Sequence, residues 1–283
     1  MVYVCVLCMS RLNDMLGSGS YGDVSKISKY GFTFALKKCS FKATEDDLTQ
    51  VMACLREEAV NLKHPHIIET LWTRWLPNQF QKAMEVGKPV DYAPAGRILH
   101  DIGQALCFLH SRGFIHRDVK PANIVRVGKV YKLIDFGLCR KGDCKNAITG
   151  YMISRWFRPP ELLCGDETKK YDGRVDMWSL GTTAWFLHYS KPLFYGSAGE
   201  IMTMYSRFEP SGMFTNLICD YSERFTSKAF LQHYETEPIK GEEIFLPKRE
   251  KKVQTFVEHM RRGDVQCAWD SIDGDLKGTY KKL

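Results

Sequence analysis

The chain has 283 residues, 44 % of them hydrophobic, with 22 Gly and 11 Pro, enough to bury a substantial core as one large domain or two packed lobes; disorder and low complexity are excluded. Forty Lys and Arg against 33 Asp and Glu leave a net charge of +7. That excess is modest and spread along the chain, so it suits an anionic ligand without diagnosing nucleic-acid binding.

In chain order, the apolar run Val2 to Met9 is about half the length of a membrane helix and has neither a basic leader nor a small-residue cleavage site. No membrane partner is expected, and an intracellular location, cytoplasmic or nuclear, is. Ten cysteines are scattered through a chain that needs no staples, which points to reduced, mostly buried thiols. Cys5 and Cys8 form a CxxC without a second pair at zinc spacing, in a Val-rich stretch whose odd spacing puts the two sulfurs on opposite faces of a strand.

Residues 11–40 alternate short β-like runs with a glycine cluster. Leu48, Val51, Met52, Leu55, Ala59 and Leu62 then recur at helical spacing and stop at His64-Pro65. Thr70 to Trp75 and Gln79 to Val86 read as two more strands joined by Leu76-Pro77-Asn78, and Gly87-Lys88-Pro89 as a connection. Beyond it the pattern is helical: Ile98, Leu99, Ile102, Ala105, Leu106 and Leu109 fall on one face of a helix over Gly96 to Ser111. Asp176 to Tyr189 and Val253 to Arg262 are also helix-like. The fold class predicted is α+β, a β-rich first third on a helical remainder, with no internal repeat. The run Lys248-Arg249-Glu250-Lys251-Lys252 reads as a solvated helix start, and no nucleic-acid partner is predicted.

The chemistry begins after Leu16. Gly17-Ser18-Gly19-Ser20-Tyr21-Gly22-Asp23-Val24 has the pattern GxGxxGxV, in which glycines let backbone amides approach phosphate oxygens. A dinucleotide fold with the same spacing would start a helix at once. Here strand-like runs flank the glycines, so a β-hairpin fits. Phe34-Ala35-Leu36-Lys37 then sets a lysine in an apolar strand, where burial demands an anion. His116-Arg117-Asp118-Val119-Lys120-Pro121-Ala122-Asn123, Asp135-Phe136-Gly137 and Pro159-Pro160-Glu161 follow in order. Ordered motifs of this kind are together far more specific than any one of them.

On these motifs the chain resembles the eukaryotic protein kinase superfamily from Leu12 to about Arg262. Lys120 resembles the serine/threonine class. The resemblance implies one domain over 1–283, with a small β-rich lobe and helix C over about 11–86, a larger mainly helical lobe over 87–283, and ATP between them. It implies that Asp118 takes the substrate hydroxyl proton, Lys120 contacts the γ-phosphate, Lys37 holds the α- and β-phosphates, and Asn123 and Asp135 bind Mg2+. The glycine loop, Leu16 to Val24, would cover the nucleotide. For the helix-C carboxylate two residues compete: Glu57, beside Arg56 as in cyclin-dependent kinases, and Glu58, which places Leu62 one turn later and is preferred. By position the hinge is Glu85 to Gly87 after a gatekeeper at Met84.

Thr149-Gly150-Tyr151 and Arg155-Trp156-Phe157-Arg158 resemble the activation segment of mitogen-activated and cyclin-dependent kinases. This implies phosphosites at Thr149 and Tyr151. Arg117 and Arg56 would gather the first phosphate and Arg155 or Arg158 the second. Ser154 would bridge Asp118 and Lys120. Asp176-Met177-Trp178-Ser179-Leu180-Gly181 resembles the motif whose aspartate anchors the catalytic loop, while His64, His66, His110 and His188 fall at no ligand spacing and read as packing or surface residues.

Two features depart from the family. Little room remains after the hinge for the helix that usually follows it. No Asp-Pro-x-x-Arg supplies the arginine that should pair with Glu161, which leaves Arg261 or Arg262. The trimmed layout is similar to kinases of large DNA viruses, which would put it in a host cell. The expectation is a kinase acting on protein Ser/Thr hydroxyls, proline-directed, controlled through the activation segment by an upstream kinase. A pseudokinase scaffold is the alternative.

Overall fold

A computed structural model describes residues 12–19, 22–29, 32–40, 62–76, 79–84, 86–141, 155–163 and 171–236. The predicted helix over 45–63, all but its last residues, and the one over Val253 to Arg262 lie outside these residues, as do Arg56, Glu57, Glu58, Glu85, Thr149, Tyr151 and Ser154.

The first part is a five-stranded antiparallel sheet: β1 (Leu12–Gly19), β2 (Gly22–Lys29), β3 (Phe32–Ser40), β4 (Thr70–Leu76) and β5 (Gln79–Met84), in the order β1-β2-β3-β5-β4. β5 ends two residues before the predicted Val86. Gly19 pairs with Gly22 at the head of the first hairpin, so the glycine-rich segment is a strand-to-strand turn and not a helix start.

In the second part, β6 (Lys88–Pro89), β8 (Ile124–Val127) and β9 (Val130–Leu133) form a small sheet, and β7 (Phe114–Ile115) pairs with β10 (Arg140–Lys141). The stretch expected to be a plain connection thus contains a strand, with Lys88 opposite Arg126 and Pro89 opposite Val125. No helix is found between residues 86 and 94, in line with the expected lack of room.

The helices are α1 (Ala95–Ser111), the short α2 (Pro160–Leu163), α3 (Arg174–Tyr189), α4 (Ala198–Tyr205) and α5 (Ser227–Thr236). The predicted stripe of α1, from Ile98 to Leu109, is fully buried, as expected of an apolar face turned to a core. α3 is buried almost all round from Val175 to Ala184, which identifies it as the central helix. Trp178 on α3 stacks on Phe194 with ring centroids 5.7 Å apart. Ser197 and Glu200 close a capping box at the start of α4. No helix among the described residues is long and apolar enough to cross a membrane.

His66 to Ile68 attach to the second part: Leu133 N–H donates to His66 O at 2.8 Å, and Ile68 N–H to Leu133 O at 3.0 Å. Beside this tie, the fully buried Asp101 accepts from Tyr131 N–H (3.0 Å), Arg97 Nε (3.3 Å) and His100 Nδ1 (2.8 Å). His66 donates through Nδ1 to Tyr131 O at 3.1 Å. Among the described residues His66, His100 and Asp101 are the one His/Asp group compact enough to consider for a metal ion. Hydrogen bonds and a guanidinium already occupy the Asp101 oxygens, so the group is a polar tie between α1 and β9.

Candidate active site

The loop His116 to Asn123 is held from below by a carboxylate. Asp176, fully buried on α3, accepts from Arg117 N–H at 2.7 Å and His116 N–H at 2.8 Å, and from His110 Nε2 at 2.9 Å. Burial alone would raise its pKa, but these donors and the neighbouring imidazoles lower it. Arg117 has φ 67°, a left-handed conformation unusual for a side chain of this size. Such strain persists where surroundings over-determine it, and the short bond to Asp176 does so here. His110, expected to have a packing or surface role, also bridges Asp176 and Ser227 Oγ (2.8 Å).

Asp118, one residue on, is 7 % exposed. Its Oδ2 accepts from Asn123 Nδ2 at 2.7 Å and Lys120 Nζ at 2.9 Å, while Oδ1 is buried without a hydrogen-bond partner. Asn123 Nδ2 also donates to Asp118 O at 2.8 Å. Both amide hydrogens being engaged there, the Asn123 side-chain oxygen is left as the acceptor end.

Ile134 N–H donates to Asn123 O at 2.9 Å and His116 Nε2 to Ile134 O at 3.2 Å, so the segment before Asp135 is laced to the same loop. Asp135 is also left-handed, φ 63°. Its Oδ1 lies 2.6 Å from Lys37 Nζ, a pair between the two parts of the molecule. Burial opposes ionisation of Asp135, yet the charge and hydrogen bond of Lys37, the charge of Lys82 and the Gly137 N–H bring its pKa to about 2. It is a firmly ionised carboxylate.

Beside these polar groups Ala35, Ile68 and Met84 form a buried apolar cluster, with Val24, Val86, Val125, Val127 and Ile134 packed against it. The sheet and β8 both contribute, so this apolar cluster joins the two parts. Gly87 borders it tightly: a Cβ there would lie 2.4 Å from Val125 Cγ2, so only glycine fits this close approach.

The remaining predicted nucleotide residues, Leu16, Gly17, Ser18, Gly19, Gly22, Asp23 and Val24, lie on the β1–β2 hairpin, Leu16 being exposed. Ser20 and Tyr21 fall outside the described residues. Met84, the expected gatekeeper, is 6 % exposed at the end of β5. Trp156 is 41 % exposed. Ser179 Oγ fastens its neighbour Phe157 through the carbonyl at 2.8 Å.

Glu161 is paired with Arg224: Nη1 is 2.6 Å from Oε1 and Nη2 3.2 Å from Oε2, while Arg261 and Arg262, the expected candidates, lie outside the described residues. The sequence signal is Asp220-Tyr221-Ser222-Glu223-Arg224, the expected Asp-to-Arg spacing with Tyr in place of Pro. Three residues carry roles that no motif signals. Tyr171 accepts from Arg117 Nη1 at 2.9 Å, His110 has been described, and Lys82 is fully buried beside Lys37.

The chain matches the protein kinase domain family over residues 10–265. It is 33 % identical over 198 residues to a probable serine/threonine-protein kinase of Dictyostelium discoideum, covering 65 % of this chain and 38 % of that protein. It is 31 % identical over 217 residues to cell division control protein 2 homolog 3 of Trypanosoma brucei brucei, covering 70 % and 68 %. It is 39 % identical over 127 residues to cyclin-dependent kinase F-4 of Oryza sativa subsp. japonica, covering 44 % and 27 %. The chain therefore spans well under half the length of the Dictyostelium and rice proteins. The family match over most of the chain agrees with a bilobal α+β architecture in which Lys37 of the sheet pairs with Asp135 of the second part, and the chain belongs to the protein kinase family.

Proposed function

We propose that the chain is an ATP-dependent protein serine/threonine kinase, transferring the γ-phosphoryl of Mg-ATP to a Ser or Thr hydroxyl. One observation carries this reading. Asp118 is fixed through Oδ2 by Asn123 and Lys120 while its buried Oδ1 has no hydrogen-bond partner, and a substrate hydroxyl would satisfy that oxygen. Aligned there, the hydroxyl oxygen attacks the γ-phosphorus as the bond to the β,γ-bridging oxygen breaks, and its proton passes to Asp118. Lys120 lies at the same carboxylate, close enough to meet charge on the transferring group. Lys37 serves the α- and β-phosphates, and the apolar side chains of Ala35, Met84, Val24, Val86 and Val125 are of the kind that receive an adenine ring.

The donor set fits Mg2+: an ionised carboxylate at Asp135 and an amide oxygen at Asn123 are the hard ligands this ion takes. When bound, it neutralises charge on the phosphate oxygens. Asp135 then has two duties, to hold the ion and to release Lys37 to the phosphates.

The relatives' names and Lys120 support the serine/threonine class. Proline direction and control by phosphate on Thr149 and Tyr151 follow from the likeness of residues 149–158 to mitogen-activated and cyclin-dependent kinases. Arg117 is held through Nε to Leu138 O (2.7 Å) and through Nη1 to Tyr171 Oη; an incoming phosphate would meet a guanidinium already oriented. We take the catalytic unit as one domain dividing near residues 86 and 87. Phosphoamino-acid analysis of an acceptor incubated with the chain and Mg-ATP tests the reading.

A further inference from the structure

The small sheet of the second part carries an exposed cationic edge. In the order β6-β8-β9, Lys88 stands opposite Arg126, and Arg126 opposite Tyr131. Directly opposed residues of an antiparallel pair share a face with their Cβ atoms about 4.5–5.5 Å apart. One rung therefore runs from the buried Tyr131, whose N–H is tied to Asp101 of α1, out to two exposed cations. Arg97, in the first turn of α1 and 51 % exposed in its side chain, donates from Nη2 to Lys129 O at 3.4 Å, which sets it at the β8–β9 turn beside that rung. Val125 and Val127 alternate with Arg126 along β8 and pack on the apolar cluster of Ala35, Ile68 and Met84. Residues one apart on a strand take opposite faces, so Lys88 and Arg126 lie on the other side of the sheet from that cluster.

Like charges directly opposed across a sheet are unfavourable, and no local carboxylate relieves them. Residues 86–97 and 123–133 hold Lys88, Arg97, Arg126, Lys129 and Lys132 against Asp91 alone. Lys88, Arg126 and Lys129 form no ion pair in the structure, and Arg97 alone is braced, by Asp101. A lysine on an edge strand keeps that edge from pairing with another chain, and Lys88 by itself would serve that end. Arg126 is on the central strand and Lys129 in the turn, where edge protection does not call for charge. No helix covers residues 86–94, so the edge is open to an extended chain, and the sign of its charge selects one rich in carboxylates. We propose that Lys88, Arg126 and Lys129, with Arg97 beside them, dock an acidic segment of the protein substrate, separate from its phosphoacceptor residue. This rests on the kinase reading and adds to it a substrate class, proteins that carry a run of Asp or Glu at a distance from the acceptor Ser or Thr.

The test uses the whole chain and two acceptor peptides, one Ser/Thr sequence joined by a Gly/Ala linker to a tract of about six glutamates or to the same tract of glutamines. In wild type the glutamate tract lowers the peptide KM about tenfold with kcat within about twofold, and the advantage fades at about 0.5 M salt. Lys88→Glu/Arg126→Glu/Lys129→Glu abolishes or inverts it, while its KM for Mg-ATP and for the glutamine peptide stays within about twofold of wild type. Lys88→Gln/Arg126→Gln, which introduces no new charge, loses most of the advantage and carries the same prediction where the reversed variant does not fold. Equal KM for the two peptides in a wild type that transfers phosphate would overturn the proposal alone, as would an advantage that the variants retain. Anionic phosphatidylserine vesicles or duplex DNA bound more tightly than a labelled glutamate-tract peptide, and released by the same reversal, would assign the edge to another partner and overturn it equally. A wild-type chain that phosphorylates neither peptide would overturn the kinase reading itself, and this proposal with it.

Discussion

Arg224 grips Glu161 with both terminal nitrogens, 2.6 and 3.2 Å from the two carboxylate oxygens, and its guanidinium stands 5.0 Å over the ring of Trp178. The same guanidinium donates to Arg174 O at 3.2 Å and Cys219 O at 2.9 Å. The pair thus fastens α2, at the end of the activation segment, to the core of the large lobe. Arg224→Met strands a mostly buried carboxylate and two carbonyls, and should lower the unfolding free energy by about 3–5 kcal/mol. Glu161→Gln/Arg224→Met should lose less than Arg224→Met alone. Urea denaturation of the three proteins measures both differences.

That pair also marks where the sequence stops being legible. The motifs around Asp118, Asn123 and Asp135 can be read because each requires particular residue types at fixed spacing. Arg224 keeps its spacing but follows Tyr221, not proline, and Tyr221 does different work: its hydroxyl accepts from Asp172 N–H at 3.0 Å and its ring lies 4.4 Å under the Arg174 guanidinium. Lys82 is invisible for another reason. Strand alternation reveals a face, but which residue stands opposite it on a paired strand that is not next in the chain is decided by register, and β3 and β5 are separated in sequence by about 40 residues. The strand in Lys88-Pro89 is hidden by its length of two residues, too short for any period to show.

His64 supplies a pH dependence. Burial, then the charges of His66 and Arg112, lowers its pKa from 6.5 to about 4, and its Nδ1 accepts from His66 N–H at 3.2 Å, a bond only the unprotonated nitrogen can accept. Below pH 6.5 the unfolded chain takes up a proton that the folded chain refuses until about pH 4. Stability from this residue is therefore present above pH 6.5 and lost as pH falls through that window. Thermal melts from about pH 7.5 to about pH 4.5 should show a steeper decline in wild type than in His64→Gln. Equal slopes would mean that His64 titrates normally.

At Gly87 the question is steric. Gly87→Ala places a Cβ against Val125 Cγ2 at 2.4 Å and Val125 Cβ at 2.5 Å, and Val125 packs against the apolar cluster between the two parts. Overpacking of this kind costs about 1–3 kcal/mol. The variant should melt earlier and bind adenine nucleotide more weakly, and Gly87→Ala/Val125→Ala should recover most of the loss. Melting and nucleotide titration of single and double variants decide it.

Asp118 is the residue on which the proposed chemistry turns, as acceptor of the proton of a Ser or Thr hydroxyl during phosphoryl transfer from Mg-ATP. The most direct measurement is radiolabel transfer from γ-labelled ATP to a Ser/Thr-containing acceptor, by wild type and Asp118→Asn matched for folding by their melting curves. Label is expected on Ser or Thr in the wild-type reaction, with a rate about 10²- to 10⁴-fold lower in Asp118→Asn. Equal transfer by both proteins, or none by a wild type that binds Mg-ATP, would contradict that role.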